Sequence, residues 1–322
     1  MPNLNYAEVW SPELLQILIQ ETLSSPFVTQ NVKWLNAKAF HFTQMSTGGY
    51  KAHDRRGGWN RGEYNQTDKV FELTHDRDIE FLVDKADVDE TNATASIQNI
   101  SRIFEQTQVA PENDALFFSK VAAVAQGLDG YHSSTATSAY TVANVFDKLK
   151  GYLAAGKLRR YKAQGALVMY VSSPIMDLLE RSEKFQRKIE MTAVANGGMG
   201  LETRITDIDG VPVMEVIDDE RFYDAFDFSD GYAPRKKVTA SQGVEAAAGA
   251  HKINVLIATP LTTKVVPKIS SIYYFAPGAH TEGDGYLYQN RSLSDVFTFP
   301  NGRDGKVDSV YVDVDTTEYT GA

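Results

Sequence analysis

Six histidines, at positions 41, 53, 75, 132, 251 and 280, are the side chains of this chain with the widest catalytic and metal-binding repertoire. No two have the i, i+4 spacing that puts a zinc-binding pair on one helix face, and no cysteine exists to complete a site. The carboxylates of DRDIEFLVDKADVDE (76–90) are dense enough to suggest calcium. They lack the glycine and terminal glutamate at EF-hand spacing, and capping of a following helix is the alternative use. Asp313 and Asp315 in VYVDVD share one side of a strand, where such a pair is expected on the solvent side of an edge. There is no G-x-S-x-G, no Walker loop and no G-x-G-x-x-G. GGMG at 197–200 follows no buried strand and reads as a loop. No serine, histidine and acid stand out as a triad. The expectation is that the chain carries no catalytic, cofactor-binding or metal residue and is not an enzyme.

The elements that would position any site are those of a globular protein. The 322 residues exceed what one compact core usually spans, so two lobes or one elaborated domain are expected. Hydrophobic residues make up 43% and charged residues 23%, unlike a disordered chain. No apolar run approaches the roughly 20 residues of a membrane span. The start, MPNLNYAEVWSPELLQ, has no basic flank before an apolar core. The absence of cysteine excludes disulfides and fits a reducing compartment. A net charge of −10 argues against a protein that grips nucleic acid sequence-specifically, but allows a container that holds it without clinging.

Along the chain, residues 8–24 have the pattern of a short amphipathic helix, with Pro12 in its first turn and Pro26 at its end. Residues 31–46 are strand-prone, anchored by Trp34, Phe40 and Phe42. Five glycines among polar side chains make 47–65 an exposed loop or long hairpin tip. Ala93, Ile97, Ile100 and Phe104 form one helical stripe, started by Asp87 or Asp89 as cap; Pro111 then ends that helix and opens a second, stopped at Gly127. Residues 127–138 read as a polar hinge between lobes. A helix follows through Val145, Leu149 and Leu153, then a buried strand at 165–172. A further helix starts at Ser173-Pro174 and runs to Ile189. Asp209-Gly210 between two alternating runs signals a hairpin. INVLIAT (253–259) is another buried strand, and the chain ends in strand-like runs.

The stretch Gly48–Gln126 stands out by charge. Residues 51–61 carry Lys51, Arg55, Arg56 and Arg61 against Asp54, a balance of +3. Residues 72–90 carry eight carboxylates against Arg77 and Lys85, a balance of −6. A basic arm beside an acidic landing surface serves its own molecule weakly and a second copy well. The plain alternative is two solvated faces.

TDKVFELTHDRDIEFLVDKADVDET, a helix and VAPENDALFFSKVA, with support from GALVMYVSSPIMDLLERS, resemble the major capsid proteins of tailed bacteriophages with the Hong Kong 97-type fold. The resemblance implies an α+β fold with an N-terminal arm (1–35) and an extended β-hairpin loop (36–75). A peripheral domain (76–129 and 261–322) would hold a long spine helix at 89–110, beside an α/β axial domain (130–260). It implies a shell of hexamers and pentamers around double-stranded DNA in the virion, assembled in the host bacterial cytoplasm with a portal protein and no membrane. No bulky segment precedes the arm helix, so a separate scaffolding protein is expected. The loop of such proteins reaches over a neighbour, which would set Lys51, Arg55, Arg56 and Arg61 against Asp76, Asp78, Glu80, Asp87 and Asp89 of an adjacent copy. Some members crosslink a loop lysine to a neighbour's asparagine. Lys51 and Lys69 are the loop lysines here, nothing singles out a pair, and noncovalent assembly is expected. An encapsulin-like protein compartment, or a soluble α/β enzyme with its site in 130–260, are the alternative readings.

Overall fold

In a computed structural model, residues 22–29, 39–53, 57, 59–85, 97–182, 205–228, 244–278, 285–301 and 306–320 are described. Strands β1 (Ala39–Thr47) and β2 (Tyr64–Glu72) pair antiparallel without a break, from Ala39 opposite Glu72 to Thr47 opposite Tyr64. The loop they carry is thus the tip of a hairpin nine pairs long. The predicted arm helix at 8–24 lies outside the described residues except for its last three. Pro26 sits in a 3-10 turn, Ser25–Phe27, that buries Phe27 against Phe117 with ring centroids 4.6 Å apart.

Strand β3 (His75–Asp84) forms a three-stranded antiparallel sheet with β12 (Gly285–Thr298) and β11 (Thr263–Phe275), β12 in the middle. Helix α1 (Ile97–Phe104) lies on one face of it, where Ile100 and Phe104 meet Val83, Phe81 and Tyr288. Ala93, Asp87 and Asp89 lie outside the described residues. The predicted break at Pro111 does not occur. The backbone passes from α1 through a π-helical turn, Glu105–Val109, straight into α2 (Ala110–Gln126). Proline removes the N–H that the Thr107 carbonyl would accept and crowds that carbonyl, and a widened turn accommodates both without ending the helix.

The second sheet has six strands in the order β4-β13-β10-β5-β7-β6. These are β4 (His132–Ser134), β5 (Val168–Ser172), β6 (Ile205–Ile208), β7 (Val211–Val216), β10 (His251–Ala258) and β13 (Tyr311–Glu318). A short pair, β8 (Phe226–Asp227) and β9 (Glu245–Ala246), stands apart. Both faces of the large sheet are covered, which is why its central strands are unbroken apolar runs. Val168 and Tyr170 of β5 with Leu256 of β10 face α2, while Met169, Val171 and Val255 face the layer α3 (Val145–Leu153), α4 (Leu158–Ala163) and α5 (Ser173–Glu180). Helix α5 ends at Glu180, earlier than its apolar pattern predicts, and Phe185 and Ile189 lie outside the described residues. The β6–β7 hairpin turns at Asp209 and Gly210 with φ of 54° and 81°, the left-handed pair that a two-residue turn of this kind needs.

Two differences from the sequence reading share one cause. The polar segment 127–138 is not a hinge: its residues His132–Ser134 pair parallel with Val312–Val314. Residues 311–318, grouped in the sequence with the strands that join β3, lie between β4 and β10 instead. β13 is therefore an interior strand, and Asp313 is fully buried rather than on a solvent-facing edge. Its carboxylate accepts hydrogen bonds from Tyr140 Oη at 2.6 Å, Asn254 Nδ2 at 2.9 Å and Ser133 Oγ. Burial, with Asp313 next in effect, drives the Tyr140 phenol far above its ordinary pKa. Asp315, half-buried, accepts from the Thr137 N–H at 3.1 Å.

Candidate subunit-contact surface

The hairpin is held at its base and open at its tip. Phe40 is buried, packed edge-on to Phe297 at 5.2 Å, while Phe71 meets Phe299 at 5.2 Å; Leu73, Val266 and Leu293 complete the cluster. Aromatic pairs of this kind add about 0.5–1.5 kcal/mol each beyond the area they bury. Beyond Thr47 the chain leaves the ladder, with one closing hydrogen bond from the Gly48 N–H to the Glu63 carbonyl at 2.9 Å. The tip is braced internally by Lys51 Nζ donating to the Arg61 carbonyl at 3.3 Å and Asn60 Nδ2 to the Ala52 carbonyl at 2.7 Å. Lys51 and Arg61 are therefore neighbours, both exposed. Arg55 and Arg56 lie outside the described residues.

The sequence reading missed the aromatic side chains on this tip. Tyr50 and Trp59 are 110% and 95% exposed, Tyr64 and Met45 are also exposed, and the His53 ring lies 6.3 Å from Trp59. Large apolar rings in water make this tip a candidate contact surface. The available signal was the placement of Tyr50 and Trp59 among glycines, where no core could form around them.

The acidic run lies on strand β3 and obeys strand alternation. Phe81 and Val83 pack toward α1, with Ile79 on the same side of the strand, and Asp78, Glu80, Leu82 and Asp84 alternate to the other side and are exposed. Part of the run is already paired within the chain. Asp76 accepts from Arg291 Nη2 at 2.9 Å and Nε at 3.1 Å, and Glu80 from Gln289 Nε2 at 2.6 Å. Arg77 turns to the other face, donating to Glu112 at 2.6 Å and to the Phe228 carbonyl at 2.7 Å; His75 Nε2 lies 3.0 Å from the same carboxylate. Burial opposes ionisation of Glu112, but His75 and Arg77 more than offset it and hold its carboxyl below the usual value. Asp87 and Asp89 lie outside the described residues. One copy thus does not bring its basic tip and its acidic strand together by any described contact.

A second device anchors the backbone at Leu23 and Ser24. The buried Asp114 carboxylate accepts from the backbone N–H groups of Leu23 and Ser24 at 2.9–3.0 Å and from Arg221 Nη1 at 3.0 Å, while Tyr170 Oη donates to the Leu23 carbonyl at 2.8 Å. Burial pushes the Asp114 carboxyl above its ordinary value, against the pull of those N–H groups and of Arg221. Among the described residues, no group of three or more histidine, aspartate or glutamate side chains is placed to hold a metal ion. No described helix is long and apolar enough to cross a membrane.

No family model and no curated protein sequence matches the chain. Solved structures do. The bacteriophage PhiM1 mature capsid asymmetric unit aligns with a TM-score of 0.62 at 14% identity, over 96% of this chain and 92% of that one. The capsid structure of the cyanophage P-SCSP1u aligns at 0.61 and 10% identity, over 97% and 94%. The Mycobacterium phage Che8 structure aligns at 0.56 and 12% identity, over 97% and 98%. Agreement over nearly the whole length of each chain shows that this protein has the α+β fold of phage capsid proteins, the Hong Kong 97-type fold.

Proposed function

We propose that the chain is the major capsid protein of a tailed bacteriophage, a structural protein that assembles with itself as hexamers and pentamers into the icosahedral shell of the virion. The observation that carries this reading is the full-length likeness to phage capsid structures. The hairpin adds to it: a rigid base, a braced tip and four exposed apolar side chains make an element built to be covered by another molecule. Closed symmetric assemblies need one surface to serve many similar contacts, and a projecting hairpin supplies the reach.

In this reading the tip of one copy lies against the outward face of β3 in the next. Lys51 and Arg61, with Arg55 and Arg56, would face Asp78 and Glu80, and Asp87 and Asp89 beyond them. Asp76 contributes less, because Arg291 already neutralises it. Each exposed pair adds only about 0–1 kcal/mol, and the aromatic side chains of the tip supply the anchoring. A separate scaffolding protein, a portal protein, non-specific enclosure of double-stranded DNA and assembly in the host cytoplasm belong to the same proposal. Electron microscopy of the purified protein tests it. Shells or capsomer rings are expected, and a uniform small oligomer under every assembly condition would overturn it. DNA rather than enzyme cargo inside particles from infected cells separates the virion from a protein compartment.

A further inference from the structure

One surface of this acidic protein is strongly basic. Between Val145 and Gln164, helices α3 and α4 and the turn joining them carry Lys148, Lys150, Lys157, Arg159, Arg160 and Lys162 against Asp147 alone, a balance of +5 in a chain of net charge −10. Asp209 reaches over to Lys150 at 3.2 Å and Lys162 at 2.9 Å; the two lysines hold its carboxyl below the usual range, and the balance becomes +4. Lys148 is occupied by the Ala139 carbonyl and the Tyr140 ring. Lys157 and Lys306 line a cleft of about 470 Å³ together with Asp129, Asp308 and Tyr131, so that cleft is close to neutral. The uncompensated charge therefore sits on α4. Arg159 and Arg160 are exposed, and among the described residues no ion pair joins either of them to a carboxylate.

The patch also exposes no large apolar side chain. Among the described residues, the exposed large hydrophobic side chains lie at Val28 and Leu261, on the hairpin, on α1 and on the three-stranded sheet, and none falls within 145–164. A contact with another protein copy buries an apolar centre inside its polar rim. A phosphate backbone offers uniform negative charge and needs only cations. We infer that the α4 flank, through Arg159 and Arg160 with Lys157 beside them, is a sequence-independent contact surface for the phosphates of double-stranded DNA. The setting of that contact, the inside of a filled shell, rests on the function proposed above. Two or three cations per copy against a large net negative charge give weak, salt-labile contacts, suited to DNA that must slide during filling.

The test is binding of the full chain to a short random-sequence DNA duplex across a salt series. The parent protein is expected to give a log–log salt slope near −2 to −3, about −0.9 per neutralised phosphate. Arg159→Gln/Arg160→Gln should flatten that slope by about 2 and lower affinity at least about tenfold at roughly 50 mM salt. Arg159→Lys/Arg160→Lys should retain the slope, and matched circular dichroism and melting of all three proteins would exclude unfolding as the cause. An unchanged slope in the glutamine variant overturns the inference. So does polyglutamate displacing the duplex at equal charge, which would point to an acidic protein partner instead. Particle formation is read separately by electron microscopy: both variants should form shells as the parent does. A parent that binds duplex through these arginines but never forms shells would sink the function proposed above and leave this contact standing.

Discussion

Asp114 and Arg221, 107 residues apart in sequence, meet at 3.0 Å with side-chain exposures of 0% and 1%. The guanidinium also reaches Asp218, at 2.8 Å from Nη2 and 3.2 Å from Nε. The carboxylate spends its remaining capacity on the backbone of Leu23 and Ser24. One buried ion pair therefore ties α2, the turn after β7 and the backbone at Leu23 and Ser24.

Removing one partner of such a pair leaves the other charge buried and uncompensated, at a cost of about 3–5 kcal/mol. Asp114→Ala is expected to lower the denaturant midpoint of the subunit accordingly. It should also expose the chain around Leu23 to protease, because two N–H groups and a docked phenylalanine lose their anchor. Arg221→Met leaves Asp114 its backbone donors but no cation, so it should cost a comparable amount, about 3–5 kcal/mol, while preserving protease resistance around Leu23. Equal protease rates in parent and Asp114→Ala would show that the clamp does not hold the Leu23 segment.

Glu112 gives a pH-dependent version of the same argument. Its folded pKa is depressed below 4.5 by His75 and Arg77, against the effect of burial. A depressed carboxyl contributes stability that is complete above the unfolded value and is lost as pH falls through the folded one. Glu112→Gln should therefore lower stability at neutral pH, by about 1.5–3 kcal/mol for hydrogen bonds to charged groups. The gap between variant and parent should close as the pH drops below about 4. Asp114, shifted the other way, has the opposite sign and is common to both proteins. Urea unfolding at a series of pH values checks this, and a gap that widens in acid would contradict it.

How much of this was legible beforehand depends on whether a feature is set by neighbours in sequence or by sheet order. The hairpin at 39–72 and the Asp209-Gly210 turn are local: glycines and a left-handed pair leave the chain few options. The buried strands β5 and β10 follow from unbroken apolar runs. The burial of Asp313 could not be read from VYVDVD, because alternation identifies a strand but not its neighbours. The π turn before Pro111 was hidden because proline is as compatible with the start of a helix as with a widened turn inside one. Of the candidate contact surface, the charges were visible and the aromatic anchors were not, since Tyr50 and Trp59 are equally at home in a core.

The turn between α3 and α4 should tolerate no side chain at Gly156. Its φ is +49°, and an added Cβ would lie 2.5 Å from Cζ of the Tyr131 ring. That ring also accepts a hydrogen bond at its Oη from the Lys157 N–H at 3.3 Å. Gly156→Ala meets a left-handed backbone cost of about 1–2 kcal/mol and a collision as well. Tyr131→Ala in the same chain relieves only the collision, so the double variant should melt above Gly156→Ala once the loss in Tyr131→Ala alone is allowed for. Simple additivity of the two melting shifts would show that the ring yields without cost.

The tip of the hairpin carries the sharpest prediction about assembly. Trp59→Ser and Tyr50→Ser remove side chains that are fully in water in the single subunit, so its melting point should not change. If these rings anchor a neighbour, each is worth about 2 kcal/mol or more per contact, and the concentration needed to form particles should rise well over tenfold. Lys51→Glu/Arg61→Glu should weaken assembly only modestly and mainly at low salt, since exposed ion pairs are screened. Adding Asp78→Lys/Glu80→Lys to that variant should restore part of the loss if the two surfaces meet. Light scattering and electron microscopy across a salt series read all of this together. Rescue by the acidic-strand changes with the aromatic variants inert would mean that charge, not burial of Trp59 and Tyr50, holds the tip in place.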